Sequence, residues 1–229
     1  MAPKVLIVLT SHDKLGDTGK KTGWYLPEFA HPYDAFTKAG FEITVASPAG
    51  GVAPLDPSSV EMFQDDSSVC FLNNNKSLWE KTEKLSTFLG KADNFDVLFY
   101  PGGHGPVFDL SFDEQSFQLI NEFWSKGKIV SAVCHGPAVF VNVKLPNGEP
   151  FVKGKHVTGF SDLEEEQVKL DKVVPFLTEA GLKKEGGIFA KAEEPWGVKI
   201  VVDGKLITGQ NPASAGPIGE AIVKAVTDA

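Results

Sequence analysis

Arginine is missing from this chain: all 22 of its basic side chains are lysines. Without a guanidinium fork, bidentate capture of a phosphate or carboxylate is not available, which points to a small ligand that need not be anionic. Cysteine is nearly absent as well. Cys70 and Cys134 are the only two, too few for a disulfide framework or a thiolate zinc site, and such sparing use fits a reducing compartment. No hydrophobic run reaches membrane-spanning length, and the apolar stretch 4–10 is too short for a signal-peptide core. There is no low-complexity tract and no repeat of solenoid period. Basic charge is in deficit too: 30 acidic residues leave a net charge of −8, which argues against partners such as nucleic acid or an anionic membrane surface.

What the chain does have is the composition of a folded globular protein, with 42% hydrophobic and 23% charged residues over 229 positions, and one domain is expected. Short apolar, β-branched runs at 4–10, 41–46, 96–100 and 128–133 read as buried parallel strands. Helical patterns lie between them. Residues 28–39 align Phe29, Tyr33 and Phe36 and stop at Gly40; residues 114–126 align Phe117, Ile120, Phe123 and Trp124 and stop at Gly127. Further helices are expected over 77–89, over 164–180 with a break at Pro175, and over 213–227. A strand is expected over 156–160 and a hairpin over 198–208, turning at Asp203-Gly204. The alternation is that of an α/β, doubly wound, mostly parallel sheet with helices on both faces. Residues 47–76 show no clear period and are read as a small inserted cap or a long surface loop.

In such a sheet, ligands bind beyond the carboxyl ends of the strands. The most informative sequence there is Ile129-Val-Ser-Ala-Val-Cys134-His135-Gly136-Pro137. A buried strand running into Cys-His-Gly places a thiol at a strand-to-helix turn, where backbone N–H groups of the next helix should push it toward thiolate. Strand 96–100 is followed by Pro101-Gly102-Gly103-His104-Gly105. The backbone N–H groups of Gly102 and Gly103 are candidate oxyanion donors, or the pair simply makes a tight turn. After the 156–160 strand comes the acidic run Glu164-Glu165-Glu166. One of these could orient His135 in a Cys-His-Glu arrangement, while the others serve a solvated helix start. Glu28 stands among Trp24, Tyr25, Leu26, Pro27 and Phe29, so it is either an acid that keeps its proton in apolar company or a helix-start residue facing water. Cys70, His12, His31 and His156 lack comparable neighbours and are assigned structural or surface roles.

Together, Ala132-Val-Cys-His-Gly-Pro-Ala138, Glu28-Phe-Ala-His-Pro32, Pro101-Gly-Gly-His-Gly105, Val157-Thr-Gly-Phe160 and Thr208-Gly-Gln-Asn-Pro-Ala-Ser214 resemble the ThiJ/PfpI superfamily. Within it they look like the branch of fungal heat-shock chaperones and glutathione-independent glyoxalases. The resemblance spans nearly the whole chain and implies a flavodoxin-like fold and conversion of a small α-oxoaldehyde, methylglyoxal, to D-lactate with neither metal nor cofactor. It also implies a homodimer, a cytoplasmic protein with the nucleus as a second location, and stress-linked chaperone action on unfolded client proteins. By motif, the nucleophile falls on Cys134, the triad histidine on His135, the carboxylate touching the cysteine on Glu28, and the triad acid on Glu165, with Glu164 or Glu166 one residue away. Either Glu28 or His135 would move the carbon-bound proton.

Competing chemistries fit less well. A glutamine amidotransferase wants a downstream His-x-Glu pair, yet the only histidine after His135 is His156, followed by Val157-Thr158. A cysteine peptidase needs an open cleft. No Gly-x-Gly-x-x-Gly follows the first strand, which disfavours a dinucleotide enzyme. The non-enzymatic alternative is a holdase chaperone that uses Cys134 as an oxidation sensor.

Overall fold

Valine, isoleucine and leucine fill the central runs because strands covered by helices on both sides must bury both faces. In the computed structural model, which describes residues 2–228, the strands are β1 (Lys4–Val8), β2 (Glu42–Ser47), β3 (Glu83–Lys84), β4 (Val97–Tyr100), β5 (Ile129–Val133), β6 (His156–Val157), β7 (Ile188–Phe189), β8 (Ile200–Asp203) and β9 (Leu206–Gly209). Seven of them form one sheet in the order β3-β2-β1-β4-β5-β9-β8. Every neighbouring pair in it is parallel except β8 with β9, which form the expected hairpin.

The helices are α1 (Leu26–Lys38), α2 (Pro57–Met62), α3 (Asp66–Asn74), α4 (Lys76–Glu80), α5 (Gly105–Phe108), α6 (Glu114–Ser125), α7 (Asp162–Gln167), α8 (Thr178–Lys184) and α9 (Ala215–Thr227). Strand alternation divides the core into two layers. Leu6 and Val8 of β1 join Leu119, Ile120 and Phe123 of α6 on one face; Val5 and Ile7 join Phe29 and Phe36 of α1 and Ile218 and Ile222 of α9 on the other. The flavodoxin-like, doubly wound architecture is therefore present. Among the described residues, no helix is long and apolar enough to cross a membrane.

Three segments differ from the sequence reading, two because a distant contact outweighs local pattern and one because of a local helix closure. Residues 77–89 form no single helix. Leu78, Leu85 and Phe88 do pack inward, but Thr82 exchanges backbone hydrogen bonds with Gly51 at 2.8 and 2.9 Å, and β3 then pairs with the end of β2. The helix expected over 164–180 is two short ones. α7 stops because Lys169 takes a left-handed φ of +62° and Leu170 N–H donates to the Glu165 carbonyl at 3.1 Å, a Schellman closure with lysine where glycine is usual. The strand expected over 156–160 is reduced to β6, which pairs with β7 outside the main sheet. Residues 47–76 resolve into a cap: α2 and α3 begin on the side chains of Asp56 and Asp65, and Phe71 of α3 packs on Trp24 and Phe29.

Candidate active site

β5 is apolar through Val133, and there the chain turns sharply. Cys134 has a φ of +62°, a region that costs an L-residue roughly 1–2 kcal/mol. Two hydrogen bonds hold it: Cys134 N–H donates to the Gly209 carbonyl at 2.9 Å, and Phe160 N–H donates to the Cys134 carbonyl at 2.7 Å. A 3₁₀ turn, Gly136–Phe140, follows at once with Pro137 in its first turn. The elbow presents the thiol to a cleft of about 600 Å³ whose walls include Tyr25, Gly103, His104, His135, Phe160 and Trp196.

His135 touches the sulfur directly, with Nδ1 3.4 Å from Sγ. Its Nε2 lies 2.6 Å from Glu165 Oε2, and the ring sits between Phe160 and His104 at centroid distances of 4.2 and 4.0 Å. Glu165 Oε1 takes His104 Nε2 at 2.7 Å. Burial alone would raise the Glu165 carboxyl, but the charge of His135 and the hydrogen bonds from both histidines outweigh it and hold the group well below the usual carboxylate range. Burial, reinforced by His104, pushes the His135 imidazole below its ordinary value against the pull of Glu165. An ionised carboxylate only accepts, so both Nε2 atoms carry protons. Neutral His135 then offers Nδ1 to the thiol as an acceptor.

On the other side stands Glu28, in the first turn of α1 and fully buried. Its Oε2 accepts the Gly102 N–H at 2.8 Å, its Oε1 has no hydrogen-bond partner, and the carboxyl and the Cys134 thiol are near enough for each to shift the other's titration. Burial raises its pKa to about 8, against the lowering effect of the neighbouring Cys134 thiol and of the Gly102 N–H. Position 102 admits only glycine, since a Cβ there would stand 2.6 Å from both Glu28 Oε2 and the Val133 carbonyl.

Two expectations need correcting. The thiol is not pushed toward thiolate by a following helix. Burial, then the neighbouring Glu28, raise Cys134 well above its ordinary value, and the backbone N–H of His135 works the other way. Gly102 and Gly103 do not form a free pair of oxyanion donors either, because the Gly102 amide is engaged by Glu28. Gly103 is the one that lines the cleft.

Of the three adjoining glutamates, Glu165 is the partner of His135; Glu166 is exposed, and Glu164 is buried but turned toward Gln210 and Asn211. His104 was not singled out by the sequence, although it stands inside Pro101-Gly-Gly-His-Gly105 directly beyond β4. His104, His135 and Glu165 also bring three ligand-type atoms within 4.8 Å of one another. They could hold a divalent ion only after both Nε2 protons leave, and as arranged they act as one hydrogen-bonded unit. His31 pairs with Asp65 and His156 with Asp203, His12 stacks on Phe108, and Cys70 is exposed beside Asn74. None of these four lines the cleft.

Comparison with known proteins identifies the family. The model of the DJ-1/PfpI family matches residues 23–225. Glyoxalase 3 of Candida albicans is 36% identical, covering 97% of this chain and 98% of the relative. A glutathione-independent glyoxalase of Saccharomyces cerevisiae is 34% identical over 94% of each. Among solved structures, the 24 kDa Rapid Encystment Protein of Francisella tularensis superposes with a TM-score of 0.92 at 35% identity, covering 98% of this chain and 99% of that one. Glyoxalase III of Candida albicans superposes with a TM-score of 0.87 at 33% identity over 97% of each. This chain, with its cysteine elbow beyond the fifth strand, belongs to the DJ-1/PfpI family.

Proposed function

We propose that the protein is a glutathione-independent glyoxalase, a lyase that converts methylglyoxal to D-lactate on Cys134. The observation that carries this reading is the contact chain Cys134–His135–Glu165 with a protonatable Glu28 beside it. The names of the full-length relatives support it.

The chemistry follows from the protonation states. With a pKa of about 8, Glu28 keeps its proton at neutral pH, and its charge then no longer opposes ionisation of the thiol. Sulfur adds to the aldehyde carbon as its proton passes to His135 Nδ1, and Glu28 gives its proton to the aldehyde oxygen, forming a hemithioacetal. The Glu28 carboxylate removes the C1 proton, while protonated His135 delivers its own to the C2 oxygen, giving an enediol. Glu28 then returns the carbon-bound proton to C2 as His135 takes one from the C1 hydroxyl, leaving a thioester. Water cleaves it to the hydroxy acid. Protonated His135 restores the thiol, and Glu28 recovers a proton from the attacking water. Gly103, which lines the cleft, is the proposed N–H donor to the developing oxyanion.

The same reading carries a homodimer and a cytoplasmic location extending to the nucleus, which sedimentation and fractionation would check. The exposed apolar side chains Leu163, Val168, Trp196 and Val198 favour holdase action on unfolded clients as a second reading. The test of the main reading is a cofactor-free methylglyoxal assay with chiral lactate detection. Wild type should yield D-lactate and Cys134→Ala none; if Cys134→Ala retains most of the activity, the cysteine mechanism fails. Client protection that survives in Cys134→Ala would place the holdase function on a separate surface.

A further inference from the structure

Among the described residues, three non-glycine residues have a left-handed backbone: Cys134, Lys169 and Trp196. All three converge on one cleft. Cys134 and Trp196 line it, and Lys169 lies between Val168 and Leu170, which also do. The elbow accounts for Cys134 and the Schellman closure for Lys169. For Trp196 the reason is a tight turn.

Trp196 stands third in the turn Glu194-Pro195-Trp196-Gly197, which is closed by the Gly197 N–H donating to the Glu194 carbonyl at 3.2 Å. Proline second and φ of +64° third make a type II turn, whose third position ordinarily belongs to glycine or asparagine. A large indole is kept there although the backbone disfavours it. What keeps it is Glu164. This carboxylate is fully buried and accepts from five donors. Ser161 N–H and Oγ donate to Oε2 at 2.9 and 2.8 Å; Trp196 N–H, Gln210 Nε2 and Asn211 Nδ2 donate to Oε1 at 2.9, 3.0 and 2.9 Å. The indole Nε1 is fixed by Gln167 Oε1 at 2.7 Å, and the ring lies edge-on to Phe160 at 5.5 Å. Phe160 in turn packs on His135.

The space that Trp196 bounds exceeds what methylglyoxal needs. A cleft of about 600 Å³ falls within the range of roughly 300–1,000 Å³ that suits much larger ligands, and the apolar side chains of Met62, Phe63 and Leu170 are among its walls. We propose that Trp196 is the specificity-determining wall of this cleft and Glu164 the positioning residue that holds it, so that the site selects α-oxoaldehydes carrying a bulky apolar group. The inference rests on the glyoxalase reading and names its substrate class.

The test compares kcat/KM for phenylglyoxal and methylglyoxal. Wild type should favour phenylglyoxal, and Trp196→Gly, which relieves the turn, should lower the phenylglyoxal-to-methylglyoxal ratio by about tenfold or more, chiefly through KM, as expected for a lost apolar contact. Glu164→Gln, which turns an amide N–H toward the donors, should lower the ratio in the same direction and raise acrylamide quenching of the Trp196 emission, taken as the difference from Trp196→Phe. A wild-type preference for methylglyoxal, or a ratio in Trp196→Gly within about twofold of wild type, overturns the role of Trp196. Unchanged quenching and ratio in Glu164→Gln overturn that of Glu164. If wild type consumes neither aldehyde, the glyoxalase reading itself falls; if it consumes both and the ratio stays put, only this inference does.

Discussion

The α1 side and the α7 side of the Cys134–His135 pair each contribute one buried carboxylate, and the chain treats the two in opposite ways. Glu28 has a single N–H donor, the Gly102 amide, so burial prevails and its pKa rises to about 8. Glu165 is as deeply placed but accepts from two imidazoles, and its carboxyl is held well below the usual range. One acid holds a proton at neutral pH while the other stays charged. Environments that push two titratable groups apart suit acid and base roles: in the proposed mechanism Glu28 moves protons, and Glu165 keeps His135 in the tautomer that receives one.

The sharpest way to break this contrast is Glu165→Gln. An amide can offer His135 the wrong hydrogen-bonding pattern, so kcat should fall by about 10³–10⁴-fold, as when the acid of a nucleophilic triad is replaced by its amide, and single-turnover methylglyoxal kinetics would show it. An undiminished kcat would mean that Glu165 has no tautomer role. Glu28→Gln should cost less, about 10²-fold, and should abolish the decline of kcat/KM expected of wild type as pH climbs through about 8.

The same variant carries a stability prediction of opposite sign. Between the ordinary value of 4.5 and the folded value of about 8, the native state keeps a proton that the unfolded chain has lost, so wild-type stability declines as pH rises across that window. Glu28→Gln removes the penalty and should be the more stable protein at pH 8, by on the order of a few kcal/mol. Denaturant melts at pH 8 and pH 4.5 would test this, since a gap that fails to narrow at the lower pH would contradict it. The smallest effect belongs to His104→Gln. It removes one of two donors to Glu165 and the ring against His135, and kcat should drop by about tenfold or less with a small upward shift of the acid limb of the pH profile.

The frame of the molecule was legible because the central strands and the helices α1, α6 and α9 bury what their own spacing announces. Phe29 and Phe36, Ile120 and Phe123, and Ile218 and Ile222 all face the sheet as their periodicity implies. The same logic failed at 77–89, where the helical spacing is present but the pairing of Thr82 with Gly51 and of β3 with β2 leaves no sequence trace. It failed again after α7, where lysine rather than glycine closes the helix.

At the site, the motifs brought Cys134, His135, Glu28 and Glu165 into view, and the structure brings all four together. Sequence could not supply the balance of forces on the thiol. A strand-to-helix turn suggests a lowered pKa, but the net direction depends on how deeply Glu28 and the sulfur are buried side by side. His104 escaped because its loop was read for glycines, and only the fold turns that ring onto His135.

The central claim is that substrate carbon becomes bonded to Cys134 during turnover. Acid-quenching the enzyme during steady-state conversion of methylglyoxal and mapping the adduct by peptide mass spectrometry tests it directly. The account predicts an acyl adduct on the peptide containing Cys134, accumulating with turnover and absent from Cys134→Ala. An unmodified Cys134 throughout active conversion, with adducts confined to lysines, would contradict it.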